Sequence, residues 1–214
     1  MHRNHARLTL FAFIAGALAV SGCGGSDGAS DVTVTLLSAA GLDGTIVMNG
    51  APSGVSVTGA VIQVGDTPVL GTDLAVRGFL SFSRAAIPPG ATLVSATLRL
   101  HQSFVFSTPY ATLGSVFVDH VDLGAGLDFT DATSPALSDS FGILSSDTSI
   151  AYHTLDVTAQ VAADISAGRS YTEFRLHMLV GADADGTEDI THWDDGEDGL
   201  GSGNVPQLVV VYTP

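Results

Sequence analysis

Apolar and polar residues alternate most regularly between Val76 and Leu100. In the first run Val76, Gly78, Leu80 and Phe82 share one face, with Arg77, Phe79 and Ser81 on the other. Beyond an Ile87-Pro88-Pro89-Gly90 turn, Val94, Ala96, Leu98 and Leu100 alternate with Leu93, Ser95, Thr97, Arg99 and His101. A period of two marks strands with one apolar face and one wetter face. No long helix is available to cover the apolar faces, so they must be buried against a second sheet. The expected class is an all-β antiparallel β-sandwich.

The rest of the chain carries the same signals. Val32–Leu37 alternates, Gly41-Leu42-Asp43-Gly44 turns the chain, and Thr45–Met48 leads into an Asn49-Gly50 turn. Val55–Val64 alternates again and closes at Gly65-Asp66-Thr67-Pro68. Gln102–Leu113 carries Phe104, Phe106 and Tyr110 around a Thr108-Pro109 break, and Ser115–Val121 reads as a strand. Gly124–Ser149 is rich in Ser, Thr and Asp and reads as loop, and Ile150–Leu155 reads as a strand. One short helix is expected at Thr158–Gly168, capped by Thr158, with Val161 and Ile165 on one face and Gly168 as the stop. Its place would be at one end of the sandwich. Strands follow at Phe174–Val180, Ile190–Trp193 and Gln207–Tyr212, the last apolar enough for a central position.

The N-terminus does not belong to this body. Arg3 and Arg7 precede a 13-residue apolar run, Leu8–Val20. That run is too short to span a bilayer, which takes about 20 residues, but it fits the core of an export signal. Val20-Ser21-Gly22-Cys23 then matches the lipobox of bacterial lipoproteins, in which the cysteine is acylated and becomes the new N-terminus. The alternative is a plain small-residue cleavage site beside an incidental thiol. Cys23 is the only cysteine in the chain, and its position and flanks agree with lipidation. The expected organisation is a signal peptide over 1–22, a flexible tether over 23–31 and a single domain over 32–214. Gly24–Gly28 also matches G-x-S-x-G, but no strand precedes it and no helix follows, so it reads as tether.

Charge narrows the partners. The full chain of 214 residues has 22 acids against 7 basic residues, and there is no lysine. Removing Arg3 and Arg7 with the signal leaves five arginines and a formal charge of −17. Such a body repels phosphate backbones, which argues against nucleic acid, and attracts divalent cations.

Arg77–Phe82, Ile87–Thr92, Ser95–Leu100, Asp156-Val157-Thr158, Phe174-Arg175-Leu176 and the closing Pro206–Tyr212 together resemble the DNRLRE-type carbohydrate-binding modules and their relatives among bacterial surface proteins. The resemblance covers most of the chain from Val76 onward. It implies a jelly-roll-like sandwich and a non-catalytic, sugar-binding role.

Three groups of residues are candidates for chemistry. Gly181–Gly203 holds the densest charge, and its Asp183, Asp185 and Asp189 offer the hard oxygen ligands that calcium takes on a glycine-bearing loop. The other reading is a solvated acidic hairpin tip. Arg77, Arg99 and Arg175 share outward parity with His101 and His177, and on adjacent strands they could hold a carboxylated sugar through bidentate bonds. The other reading is pairing with acids such as Glu173 across the sheet. Trp193, Tyr110 and Tyr171 could stack on sugar rings, although Trp193 also suits a core or edge plug. The five histidines of the body are dispersed, without zinc-ligand spacing.

The expected function is therefore a binding module without catalysis, moored in a bilayer through acylated Cys23 and holding a glycan or other extracellular polymer. The alternative is a structural or assembly protein that holds another envelope protein. Gly24 after the lipidated cysteine carries no inner-membrane retention signal, which points to the outer membrane or cell surface.

Overall fold

A computed structural model describes residues 30–214 apart from positions 50, 57–60, 125 and 199. The signal segment, Cys23 and most of the tether lie outside the described residues.

The strands are β1 (Val32–Leu37), β2 (Gly44–Asn49), β3 (Ala51–Ser56), β4 (Val61–Val69), β5 (Thr72–Ser83) and β6 (Thr92–Phe106). They continue with β7 (Val116–Val121), β8 (Ser138–Ser145), β9 (Tyr152–Asp156), β10 (Tyr171–Met178), β11 (Asp189–Asp194) and β12 (Gln207–Thr213). All pair antiparallel in one curled sheet, in the order β1-β12-β6-β11-β4-β5-β10-β7-β8. β9 adds to β6, and the β2–β3 hairpin adds to β5. The curl brings two faces together as an all-β sandwich. β1, β12 and β6 contribute Leu36, Leu208, Val210, Tyr212, Ala96, Leu98 and Leu100 to the core. Across from them lie Leu80, Phe82, Phe174, Leu176, Val116 and Val118 of β5, β10 and β7. β12 lies between β1 and β6, the central position its apolar run predicts.

β4 changes partners along its length. Val61–Asp66 pairs with β11, and from Gly65 onward the strand pairs with β5. Gly65 sits at the transfer with φ +147, and a Cβ there would lie 2.0 Å from the Asp189 carbonyl oxygen. Only glycine lets the backbones approach this closely.

Short helical pieces cover the rest. α1 (Pro109–Thr112) is a single turn, α2 (Thr158–Ala167) has 10 residues, and Phe129–Ala132 is a 3-10 turn. α2 packs on both β6 and β10, with Val161 buried in the core and Gly168 ending it in the left-handed region at φ 68. Thr158 is the first helical residue and not the cap. Asp156 Oδ1 accepts from its N–H at 2.9 Å and from its hydroxyl at 2.6 Å.

The expected run Val55–Val64 enters β3 at its start and β4 at its end, and positions 57–60 between them lie outside the described residues. Two expectations change. The loop expected over Gly124–Ser149 contains β8, which pairs with β7 at the sheet margin; its polar residues are tolerated because much of the strand faces water. The outer face of β5 is not wet. Phe79 joins Ile46, Val121, Leu123 and Ala132 in a second core, roofed by β2 and the 3-10 turn. Burying one such ring stabilises by about 1.5–3 kcal/mol.

Candidate functional site

The three candidate arginines do not form one row. Arg77 and Arg175 meet under the roof of the second core, and both donate to the Ala132 carbonyl. Arg175 is buried, with Nε donating to Asp119 Oδ2 at 2.7 Å and Nη1 to the Ser134 carbonyl at 2.9 Å. Burial alone would raise the Asp119 carboxyl. Hydrogen bonds from His177 and the Ser140 N–H, with the His177 and Arg175 charges, instead hold it well below the usual range. Burial, then the neighbouring Arg175 charge, lowers the pKa of Arg77.

Arg99 lies in the other half of the sandwich. It donates to Gln207 Oε1 at 2.7 Å, and its guanidinium sits 3.5 Å above the Tyr152 ring. The remaining two body arginines bind helix α2: Arg84 donates to the Asp164 carbonyl at 3.1 Å, and Arg169 to the Asp164 carboxylate at 3.0 Å. All five are engaged within the chain, so a carboxylated ligand would have to displace an internal partner to reach any of them.

Trp193 is 0% exposed, in the core, with Nε1–H donating to Thr191 Oγ1 at 3.0 Å. Its ring offers no face to a ligand. Tyr110 is also turned inward, bonding Gln102 and, at 2.9 Å, Ser145; burial pushes its hydroxyl up to about 12.

The acidic loop gathers as its sequence suggested, with two additions. One carboxylate oxygen from each of Asp183, Asp185 and Asp189 lies within 4.8 Å of the others, and Asp66, Asp73 and Asp183 form an overlapping group. Asp66 and Asp73 come from the β4–β5 hairpin, more than a hundred residues away, so nothing local in sequence could join them to the loop. Much of the cluster stitches backbone. Asp66 accepts from the N–H groups of Asp183 and Asp189, both at 3.2 Å, while Asp189 accepts from Thr108 N–H at 2.7 Å and Thr112 Oγ1 at 2.9 Å. Burial raises the Asp66 carboxyl above its ordinary value. Each group of three presents the hard carboxylate oxygens that a calcium ion takes.

A second acidic group lies elsewhere. Asp43 is 2% exposed, and its Oδ1 accepts the Ser81 N–H at 3.0 Å. Its Oδ2 and the Ser38 hydroxyl face the Gly196 backbone, where a Cβ would come within 2.7 and 2.9 Å of them. Burial pushes Asp43 up to about 7, with Glu197 and Asp195 adding to the rise and the Ser38 and Ser81 contacts opposing it.

The feature sequence reading missed is an exposed aromatic face. From Ala96 to Gln102 the even-numbered residues of β6 are buried. The β6–β11 register then shifts, so that Trp193 opposes Gln102 while His192 opposes Phe104. One extra residue reverses which face every later side chain takes. Phe104 and Phe106 emerge 48% and 45% exposed. Their ring centroids are 6.5 Å apart, and the His192 ring lies 5.4 Å beyond Phe104. Gln63 of β4 meets the far side of that imidazole, Nε2 to Nε2, at 3.2 Å. Burial lowers the His192 pKa, keeping the ring neutral. The alternation through Gln102–Phe106 gave no sign of the bulge.

No protein-family model matches the chain, and no curated protein is significantly similar to it. None of the described helices is long and apolar enough to cross a membrane.

Proposed function

We propose that this chain is a lipid-anchored binding module of the bacterial envelope, facing outward from the outer membrane or cell surface and holding a glycan or other extracellular polymer without transforming it. The observation that carries the reading is the pair of half-exposed rings, Phe104 and Phe106, set beside His192 and Gln63 on adjoining strands. Aromatic rings flanked by amide and imidazole groups suit the apolar faces and hydroxyls of sugars. The resemblance to carbohydrate-binding modules favours the same ligand class, and the lipobox at Cys23 supplies the mooring.

A non-catalytic role agrees with how the titratable groups are used. His120 lies 2.9 and 3.0 Å from the two oxygens of Asp164, His101 lies 2.8 Å from Asp194, and His177 lies 3.2 Å from Asp119. Each imidazole is tied to a carboxylate that also serves the fold. Calcium held by Asp183, Asp185 and Asp189 would brace the acidic loop.

The test is a glycan array probed with the full-length lipoprotein in detergent, alongside mass spectrometry of its N-terminus. Retention of a glycan class and a diacyl or triacyl mass on Cys23 are the expected results. Capture of an envelope protein with no glycan retained would replace this reading with the assembly role.

A further inference from the structure

The ring row is also specific about the charge of its ligand, and this step rests on the glycan reading above. Phe106, Phe104, His192 and Gln63 run across β6, β11 and β4, three strands hydrogen-bonded to one another. At half exposure the two phenylalanines offer about 200 Å² of apolar surface. A stable protein interface buries about 800 Å² on each partner, so this patch is small for a folded protein. A slender chain that stacks ring on ring fits it better.

The surroundings of the row are acidic. Phe106 opposes Ile190, and the chain next to Ile190 is Asp189 and Glu188, leading back to Asp185 and Asp183. Glu188 is held beside the strands by the Thr67 hydroxyl at 3.2 Å. No lysine exists in the chain, and every arginine of the body is bonded internally. The row itself is uncharged, since His192 is held neutral. An anionic polymer would find no counter-charge here and a field that repels it.

We propose that the Phe106–Phe104–His192–Gln63 face is the subsite of this module and that its ligand is a glycan carrying free amino groups. The sugar faces stack on the two phenylalanines, hydroxyls bond to Gln63 and His192, and ammonium groups lie toward Glu188.

The test titrates full-length protein in detergent with a β-1,4-linked glucosamine hexamer, its fully N-acetylated counterpart and an oligolysine of equal charge. The glucosamine hexamer should bind at least about tenfold tighter than the acetylated form and weaken as salt rises. Phe104→Ala should weaken it by about tenfold, the scale of one lost stacking contact, while leaving oligolysine binding unchanged. Both rings are exposed, so the variant should melt with the wild type. Equal binding of the two hexamers would overturn the amine assignment and leave the glycan reading in place. Glucosamine binding that survives Phe104→Ala together with Phe106→Ala would show only Coulombic attraction to an acidic body and remove the subsite. If neither hexamer binds while another glycan is retained on the array, only this inference fails. If no glycan of any kind is retained, the module reading fails with it.

Discussion

Asp43 offers the sharpest test of how this fold handles its excess acid. Its carboxyl is buried between the Ser38–Asp43 turn and the Gly196 backbone, with Glu197 and Asp195 adding negative charge, and it is pushed up to about 7. In the unfolded chain it returns to its ordinary value of 3.8. A raised carboxyl stabilises the fold fully below the unfolded value and loses that contribution as pH rises through the folded value. The loss should therefore run from about pH 4 to pH 7. At 1.36 kcal/mol per pH unit the ceiling is about 4 kcal/mol, and relaxation of the turn would reduce it. Asp43→Asn keeps the shape and the acceptor for Ser81 N–H but removes the charge. It should leave stability nearly unchanged at pH 3.5 and raise it at pH 8. A gain of half the ceiling corresponds to about 4–8 °C in Tm for a domain of this size. The assay is thermal melting of wild type and variant in steps from pH 3.5 to 8, taking the difference at each pH to cancel other carboxylates. A difference that stays constant across that range would refute the reasoning, because the effect would then have no titration behind it.

Other outcomes follow from the same geometry. Gly65→Ala should prevent β4 from transferring between β11 and β5, lowering Tm sharply or abolishing soluble protein; a near-wild-type melt would mean the strand can move aside. Arg175→Ala removes the buried cation that pairs with Asp119 and one donor from each of the Asp131, Ala132 and Ser134 carbonyls, and urea denaturation should register a loss of about 3–5 kcal/mol. Excess calcium should raise Tm by several degrees through preferential binding to the folded loop, with Asp183→Asn reducing the effect; an unchanged melting point removes the calcium site. Cys23→Ser should leave the β body folded, by circular dichroism, while the acyl mass disappears from the N-terminus.

Much of the sandwich was legible because it depends on periodicity. Ala96, Leu98 and Leu100 had to share a face, and the core they join follows from that parity. The apolar run of Gln207–Tyr212 likewise announced a strand flanked on both sides. β8 was hidden because a strand at the sheet margin needs few apolar residues. The second core was hidden because Phe79 and Arg175 lie on what alternation alone marks as the wet face; only the roof of β2 and the 3-10 turn makes that face dry. The same roof turned two candidate ligand-binding arginines into structural donors.

What the linear chain determined was the class of the body and its excess of acid, since periodicity and composition are written in neighbouring residues. The tertiary structure decided which side chains remain available to a ligand. Closure of the sheet buries Trp193, the β4–β5 hairpin brings Asp66 and Asp73 to a distant acidic loop, and a single register shift turns Phe104 and Phe106 outward. Availability depends on what covers a face, and the covering segments lie far along the chain, where no local pattern records them.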